Sequence, residues 1–415
     1  MSTFDQELDR RLAALGDQGL RRSLRCVDSP QGTRIHVDGH ELLNFSSNDY
    51  LGLANHPSLK EAAALAVERF GAGCGASRLI CGSLAPHHEL EEALAAFKGT
   101  EAALTFSSGY ATALGTIPAL VGKGDVVVID KLVHACLVDA ARLSGARLRV
   151  FAHNDLDDLE RILKWTNRAG NPKSEIRNPK STPRVLVVTE SLFSMDGDTA
   201  PLREMVELKD RYGAWLMVDE AHATGIFGKS RRGLVEETGL TGRVEVQMGT
   251  LGKALGAAGG YIAGSRALID YLVNRARSFI FSTAPVPAAA AAARAAVALV
   301  QSEEGEQRCE RLRTSVAECR TGLLSEAPQG RRDACPALAS PILPLIIGDE
   351  TEAMRVAAAL LDQGIFIPAI RYPTVARGSA RLRLTLSADH TAADMAQVSQ
   401  AITSLVPRSA SPVPP

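Results

Sequence analysis

The chain has 415 residues, 46% hydrophobic and 22% charged, and can therefore bury a large core. A formal net charge of −1 gives no general attraction to nucleic acid or to an anionic membrane. Seven cysteines without a C-x-x-C pair, and no secretory signal, predict a reducing cytoplasm, no structural disulfides and no metal site.

The predicted elements begin with a helix over residues 4–15, where apolar side chains recur at helical spacing. Residues 44–52 place short polar side chains between aromatic ones, which favours a loop folded over a site. The glycines from Gly71 to Gly75 have the spacing G-x-G-x-G and follow a segment at 56–70 that looks helical. A dinucleotide site needs G-x-G-x-x-G after a strand, so we discount this one.

From residue 102 onward, predicted strands alternate with predicted helices. Seven apolar runs with β-branched residues are predicted as strands: 102–106, 126–130, 148–151, 185–189, 215–219, 244–248 and 261–263. This pattern predicts an α/β fold with a mostly parallel seven-stranded sheet and helices on both faces. Ligands bind beyond the carboxyl ends of such strands, where polar segments stand at 107–110, 190–196, 219–222 and 250–253.

The chain is predicted to have four regions. They are an N-terminal helix and active-site arm at 1–50, a large cofactor-binding domain at 51–287, a small C-terminal α/β domain at 288–406 and a disordered tail at 407–415.

Two further segments carry expectations of their own. Residues 164–183, rich in Lys, Asn, Pro and Ser, predict a surface excursion. The alanine-rich run at 284–300 is broken by Arg294, which predicts a packed helix and no membrane span.

The segment at 219–222, Asp-Glu-Ala-His, follows an apolar run at 214–218, as expected where a buried parallel strand ends. The same four letters occur in nucleic-acid helicases, which also need a phosphate loop of the form G-x-x-x-x-G-K-[ST]. Both candidate lysines, Lys229 and Lys253, lack the first glycine of that loop. The helicase hypothesis therefore fails.

The sequence places an acid, Asp219, at a strand end, with His222 nearby and a lysine, Lys253, in a loop of small residues. These three groups suit a cofactor that has a protonated ring nitrogen and an aldehyde. Pyridoxal phosphate has both. On these two motifs alone, a capped strand end beside an exposed loop lysine stays an alternative.

Seven segments together resemble the α-oxoamine synthases, in order along the chain: 44–53, 75–79, 106–110, 189–201, 216–225, 250–256 and 370–390. These fold-type-I pyridoxal phosphate enzymes join an amino acid to an acyl thioester with loss of CO₂. The last segment is most similar to the family members that act in biotin biosynthesis, which use L-alanine and a pimeloyl thioester. The resemblance implies the same fold, cofactor and reaction here.

The resemblance also implies catalytic roles. Lys253 would hold the cofactor through its aldehyde and, once displaced by substrate, remove the α-proton. Asp219 would keep the ring nitrogen protonated, His222 would bond the ring hydroxyl oxygen, and His134 would stack on the ring. Without the resemblance, His134 reads equally well as a loop histidine satisfied by its surroundings.

For the rest of the cofactor, the resemblance implies a phosphate site at a helix start. The phosphate would lie on the backbone amides of Gly109 and Tyr110, with the hydroxyl of Thr250 added. Ser194 would line the ring edge near the oxygen that His222 bonds.

Substrate contacts follow from the resemblance as well. Arg371 would pair with the amino acid carboxylate, and Thr374 would contact the substrate. Arg21 would meet the far carboxylate of the pimeloyl chain, and Asn48 is a further candidate on the carboxylate side.

Members of the family are homodimers with shared sites, so Ser282 and Thr283 are expected to reach the partner's phosphate. Two residues depart from the common pattern, since Tyr372 and Ala376 stand where many members have Pro. Both border the expected substrate pocket.

Two other function classes stay open. A glycine-using member of the family would keep all the cofactor residues and differ only in the substrate wall. A non-catalytic subunit would have lost the lysine, whereas Lys253, Asp219 and His222 are all present.

Overall fold

The computed structural model describes residues 2–168, 183–325 and 340–405. These residues form two compact units: a small unit drawn from Met1–Ser47 and Leu312–Pro415, and a large unit, Asn48–Arg311. This division differs from the predicted boundary at 287, because the helix that begins at Pro287 packs on two helices of the large unit. The predicted tail at 407–415 lies outside the described residues.

Strands and helices are numbered in chain order. The strands are β1 (Arg34–Val37), β2 (His40–Asn44), β3 (Ala102–Phe106), β4 (Val126–Asp130), β5 (Arg147–Phe151), β6 (Val185–Glu190), β7 (Trp215–Asp219), β8 (Val246–Thr250), β9 (Gly260–Gly264), β10 (Ile342–Gly348), β11 (Ile365–Phe366), β12 (Ala369–Ile370) and β13 (Ala380–Thr385). The helices are α1 (Thr3–Asp17), α2 (Pro57–Phe70), α3 (Ala85–Lys98), α4 (Gly109–Leu120), α5 (Ala135–Leu143), α6 (Leu156–Arg168), α7 (Leu202–Tyr212), α8 (Leu234–Glu237), α9 (Arg266–Arg275), α10 (Arg277–Ile280), α11 (Pro287–Gln301), α12 (Glu303–Ser325), α13 (Glu350–Asp362) and α14 (Ala392–Leu405).

The large unit is built on one seven-stranded sheet in the order β3-β9-β8-β7-β6-β4-β5. β9 runs antiparallel to β3 and β8, and the other neighbouring strands are parallel. Every residue of β3, β4, β6 and β9 is buried, so both faces of the sheet are covered. The predicted α/β fold with a mostly parallel seven-stranded sheet is confirmed.

The small unit holds two three-stranded sheets, β1-β2-β11 and β10-β13-β12. β1 and β2 form an antiparallel hairpin that was not predicted from the sequence. The ring of His390 stacks on Phe45 with ring centres 4.3 Å apart, which joins the segment after β2 to the segment after β13.

The predicted surface excursion at 164–183 begins too early. Helix α6 continues to Arg168, since Leu159, Ile162 and Leu163 are buried on its inner face. Residues 169–182 lie outside the described residues. Within the described residues, no helix is both long and apolar enough to cross a membrane.

Candidate active site

The predicted site residues of the large unit gather at the carboxyl ends of β6, β7 and β8, which are neighbours in the sheet. Glu190 closes β6 and is the register partner of Asp219, which closes β7. Asp219 is in turn the register partner of Met248 in β8, two residues before Thr250. The parallel sheet therefore brings three sequence segments to one edge.

Asp219 is buried, with 5% of its surface exposed. Its Oδ1 accepts the N–H of Ala221 at 2.9 Å, which fixes the carboxyl group. Burial raises the pKa of Asp219, and the nearby positive charge of Lys253 opposes that effect. A buried acid next to a cation is suited to holding a proton on a nitrogen base.

The amine of Lys253 lies 2.7 Å from Nε2 of His222. On the other side of the ring, Nδ1 of His222 lies 2.6 Å from the hydroxyl of Tyr50. That hydroxyl donates to Oδ1 of Asn48 at 3.2 Å. Lys253, His222, Tyr50 and Asn48 thus form one continuous chain of polar contacts.

Tyr50 is fully buried and was not singled out in the sequence. The available signal was its position two residues after Asn48 in the polar loop at 44–52. Because a buried tyrosine hydroxyl usually finds a partner, that position could have suggested a contact. Only the folded chain shows that the partner is His222.

His134 caps the start of α5, where its Nδ1 accepts the N–H of Cys136 at 3.2 Å. Partial burial lowers the pKa of His134, and the charge of Lys253 lowers it further, partly offset by Asp219. The ring is therefore electrostatically coupled to both other site residues and is biased toward its neutral form.

The predicted phosphate residues lie together. Helix α4 begins at Gly109, after Ser108, whose hydroxyl accepts the N–H of Ala111 at 3.0 Å. A Cβ atom on Gly109 would lie 3.8 Å from Cβ of Thr250, so the helix start and the end of β8 are adjacent. The first-turn amides of a helix have no partner within the helix and carry its positive dipole end.

Gly260 makes this close approach possible. A Cβ atom there would fall 2.8 Å from the backbone nitrogen of Gly109 and 2.4 Å from Oγ1 of Thr112. Any side chain at this position of β9 would push the start of α4 away from the sheet.

Ser194 is buried and its N–H donates to Oε2 of Glu190 at 3.3 Å. Burial raises the pKa of Glu190 to about 8, and the neighbouring Asp219 adds to the effect. Glu190 belongs to the polar segment predicted at 190–196, at a strand end, and no role was predicted for it.

Ser282 and Thr283 follow α10 in the large unit. Thr283 forms an isolated antiparallel bridge with Ser77. The N–H of Ala284 donates to the carbonyl of Ala76 at 3.0 Å, which holds the same segment. The contact expected with a partner subunit stays a prediction.

Arg21, Arg371 and Thr374 belong to the small unit. The guanidinium of Arg371 donates to the carbonyl of Arg21 at 3.3 Å, and the N–H of Thr374 donates to the carbonyl of Arg371 at 3.0 Å. Tyr372, where many members have Pro, lies under the guanidinium of Arg377 at 4.5 Å. Arg21, Arg371 and Thr374 are thus neighbours within the small unit.

A cavity of about 760 Å³ lies at the opposite, amino-terminal edge of the large sheet. Its lining includes Trp215 and Val246, which begin β7 and β8. It is therefore separate from the residues that follow Asp219 and Thr250.

The site residues together fit pyridoxal phosphate by their chemistry. They supply a buried carboxyl for a ring nitrogen, an amine for an aldehyde, and helix-start amides for a phosphate. Residues 40–402 match the model of the aminotransferase class I and II family. The chain belongs to this family.

Individual relatives narrow the family assignment of this chain. It is 47% identical over 402 residues to an 8-amino-7-oxononanoate synthase of Geotalea daltonii, covering 97% of each chain. It is 48% identical to the enzyme of that name from Geobacter sulfurreducens, covering 92% of this chain and 94% of that one. These relatives indicate a pyridoxal phosphate-dependent acyltransferase.

Solved structures agree. A serine palmitoyltransferase from S. paucimobilis aligns with a TM-score of 0.86 and 29% identity over 98% of each chain. An 8-amino-7-oxononanoate synthase from Francisella tularensis aligns with a TM-score of 0.71 and 25% identity, over 88% of this chain and 97% of that one. The predicted resemblance to the α-oxoamine synthases is confirmed, and the family implies dependence on pyridoxal phosphate.

Proposed function

We propose that this enzyme condenses L-alanine with a pimeloyl thioester to give 8-amino-7-oxononanoate, CO₂ and the free thiol, in biotin biosynthesis. The observation that carries the proposal is the identity of 45–48% with 8-amino-7-oxononanoate synthases over at least 92% of the chain. The cluster of Lys253, His222 and Asp219 supports it, because these groups suit the chemistry required.

Pyridoxal phosphate, when bound, supplies an aldehyde carbon that bonds a primary amine and a ring that accepts the electron pair of the substrate α-carbon. In this proposal Lys253 is the amine that holds the aldehyde. Its Nζ, once free, removes the proton from the α-carbon of alanine.

Asp219 and His222 would orient the cofactor ring, and Asp219 would keep its nitrogen protonated. The buried Asp219 carboxyl would hold a proton on the ring nitrogen, since a cation there relieves the cost of burying a charge. His222 would bond the ring hydroxyl oxygen through Nε2, the atom that lies 2.7 Å from the Lys253 amine.

The remaining cofactor residues hold the molecule in place. His134 would stack on the ring, and Ser194 would contact its edge. The amides of Gly109 and Tyr110 and the hydroxyl of Thr250 would bind the phosphate, as expected at a helix start.

Substrate recognition would depend on Arg371 and Arg21. The buried Nε of Arg371 has no hydrogen-bond partner within the described residues, so this donor could bind a substrate carboxylate. Arg21 would pair with the far carboxylate of the acyl chain, Thr374 would contact the substrate, and Asn48 is a further candidate on the carboxylate side.

We further propose a homodimer in the cytoplasm, with Ser282 and Thr283 of each subunit reaching the phosphate of the other. Sedimentation of the purified enzyme would test the dimer. A monomer with full activity would contradict shared sites.

The substrate proposal is tested by assaying alanine, glycine and serine, each with pimeloyl, octanoyl and acetyl thioesters. Alanine with pimeloyl thioester should give the highest kcat/KM. Preference for glycine with acetyl thioester would instead favour a glycine-using α-oxoamine synthase. Pimeloyl groups presented on coenzyme A and on a carrier protein should be compared in the same assay.

A further inference from the structure

The carboxyl group of Glu190 occupies a particular place at the site. It is only 2% exposed, it ends β6, and it is the register partner of Asp219 on the neighbouring strand. It therefore lies beside the predicted ring-nitrogen partner, although none of the roles above uses it.

The two oxygens of Glu190 hold two different loops. Oε1 accepts the N–H of His134 at 2.5 Å, from the loop that follows β4. Oε2 accepts the N–H of Ser194 at 3.3 Å, from the loop that follows β6 itself. Both donors belong to residues proposed to contact the cofactor ring.

A glutamate suits this task for a simple reason. When it is ionised, its carboxylate has two acceptor oxygens on one rigid plane, so one side chain can satisfy two backbone donors, and both of these hydrogen bonds favour the ionised form against burial. Glutamine has the same size but a single acceptor oxygen, and its NH₂ group would face one of the two N–H groups. Leaving a buried donor unsatisfied costs more than a normal hydrogen bond contributes.

We propose that Glu190 is a positioning residue, whose carboxyl group fixes His134 and Ser194 relative to Asp219 and so preforms the pocket for the cofactor ring. This inference rests on the proposed function, which places His134 and Ser194 at that ring. Glu190 itself acts through these two residues.

A matched control exists at the other end of the same strands. Asp125 precedes β4 and is 8% exposed. Its oxygens accept the N–H of Gly122 at 2.9 Å and the N–H of Arg184, just before β6, at 3.0 Å. Asp125→Asn therefore removes the same kind of double acceptor from the amino-terminal edge, together with the charge that pairs with the Arg184 guanidinium at 2.6 Å.

The experiment compares wild type, Glu190→Gln and Asp125→Asn as apoenzymes, at a pH above the raised pKa of Glu190, where its carboxyl group is ionised. Urea unfolding measures stability, and titration with pyridoxal phosphate measures its Kd. We expect both variants to unfold at lower urea concentration. Glu190→Gln should weaken cofactor binding about tenfold, as loss of one buried acceptor implies, while Asp125→Asn should stay within about twofold of wild type.

Hydrogen exchange of wild-type apoenzyme gives a second measurement that needs no variant. With residue-level fragmentation, the amides of His134 and Ser194 should exchange at least about tenfold more slowly than unprotected amides. Rapid exchange of both would overturn the proposal even if Glu190→Gln fails to fold.

Two other results distinguish failure of this inference from failure of the proposed function. Equal cofactor affinity in Glu190→Gln and wild type, or equal weakening in Asp125→Asn, would overturn this inference and leave the proposed function standing. A wild-type enzyme that does not bind pyridoxal phosphate would overturn both.

Discussion

Nε2 of His222 lies 2.7 Å from the amine of Lys253, although 30 residues separate them in the sequence. The two follow adjacent parallel strands, β7 and β8. Their contact joins the segment at 219–222 to the lysine loop at 250–253, the two motifs that suit pyridoxal phosphate.

Lys253 should be the only lysine that forms a covalent bond with the cofactor. Lys253→Ala should abolish both turnover and the lysine adduct that borohydride reduction leaves after peptide mapping. Lys229→Ala, at an exposed position ten residues after Asp219, should keep both. A reducible adduct in Lys253→Ala would move the assignment to another lysine.

The hydroxyl of Tyr50 should support the function of His222 in the site. Tyr50→Phe removes the hydroxyl that lies 2.6 Å from Nδ1 of His222 and should lower kcat/KM for alanine roughly threefold to tenfold. Tyr261→Phe is the control, because its hydroxyl is equally buried and lies 3.0 Å from Oγ1 of Thr224. If both variants lose the same activity, the effect is one of stability and not of the His222 contact.

The pair of Lys98 and Glu220 should matter for stability. Both are fully buried, and the ammonium lies 2.5 Å from Oε2 of Glu220, whose Oε1 accepts the N–H of Val235 at 2.8 Å. Lys98→Met leaves a buried carboxylate without its cation, which typically costs roughly 3–5 kcal/mol in the free energy of unfolding. Lys98→Met with Glu220→Gln should recover part of that loss in urea unfolding. No recovery would show that the charge of Glu220 is not the cause.

His153 should make stability depend on pH. Burial lowers its pKa, but hydrogen bonds to Asp130 at 2.9 Å and Asp198 at 2.8 Å outweigh that effect and raise it from 6.5 to about 10. A raised pKa contributes stability that is complete below about 6.5 and is lost as pH rises through about 10.

The difference in unfolding free energy between wild type and His153→Gln should therefore shrink by roughly 1.4 kcal/mol per pH unit between pH 7 and pH 9. Urea unfolding at each pH measures it. His40→Gln, at an exposed site, is measured alongside as the surface control. A constant difference for His153→Gln would show that its imidazole is neutral in the folded state.

Arg21 should set the preference for a dicarboxylic acyl chain. Wild type should favour a pimeloyl thioester over an uncharged thioester of equal length by roughly tenfold or more, the value of one charge-assisted pair. Arg21→Ala should erase that preference and keep the KM for alanine. Arg22→Ala, also exposed, should retain it. A preference that survives in Arg21→Ala would mean that another group reads the far carboxylate.

The sequence by itself determined the large sheet and predicted the cluster of polar groups at its carboxyl edge. Apolar β-branched runs specify strands locally, so all seven strands were located within two residues at either end. Asp219 ends one such strand, and His222 and Lys253 each lie three residues after a strand end, where parallel strands deliver polar groups. The hairpin of β1 and β2 was missed because its strands are short and have few apolar residues.

Only the tertiary structure decided which distant residues support the site. Tyr50 lies 172 residues from His222, and Glu190 lies 56 residues from His134. No local pattern encodes such pairings, because they depend on the strand order that sets β6 beside β7 and on the loops that cover their ends. A buried carboxyl or hydroxyl must find a partner, but the sequence does not say which one, and folding makes that choice.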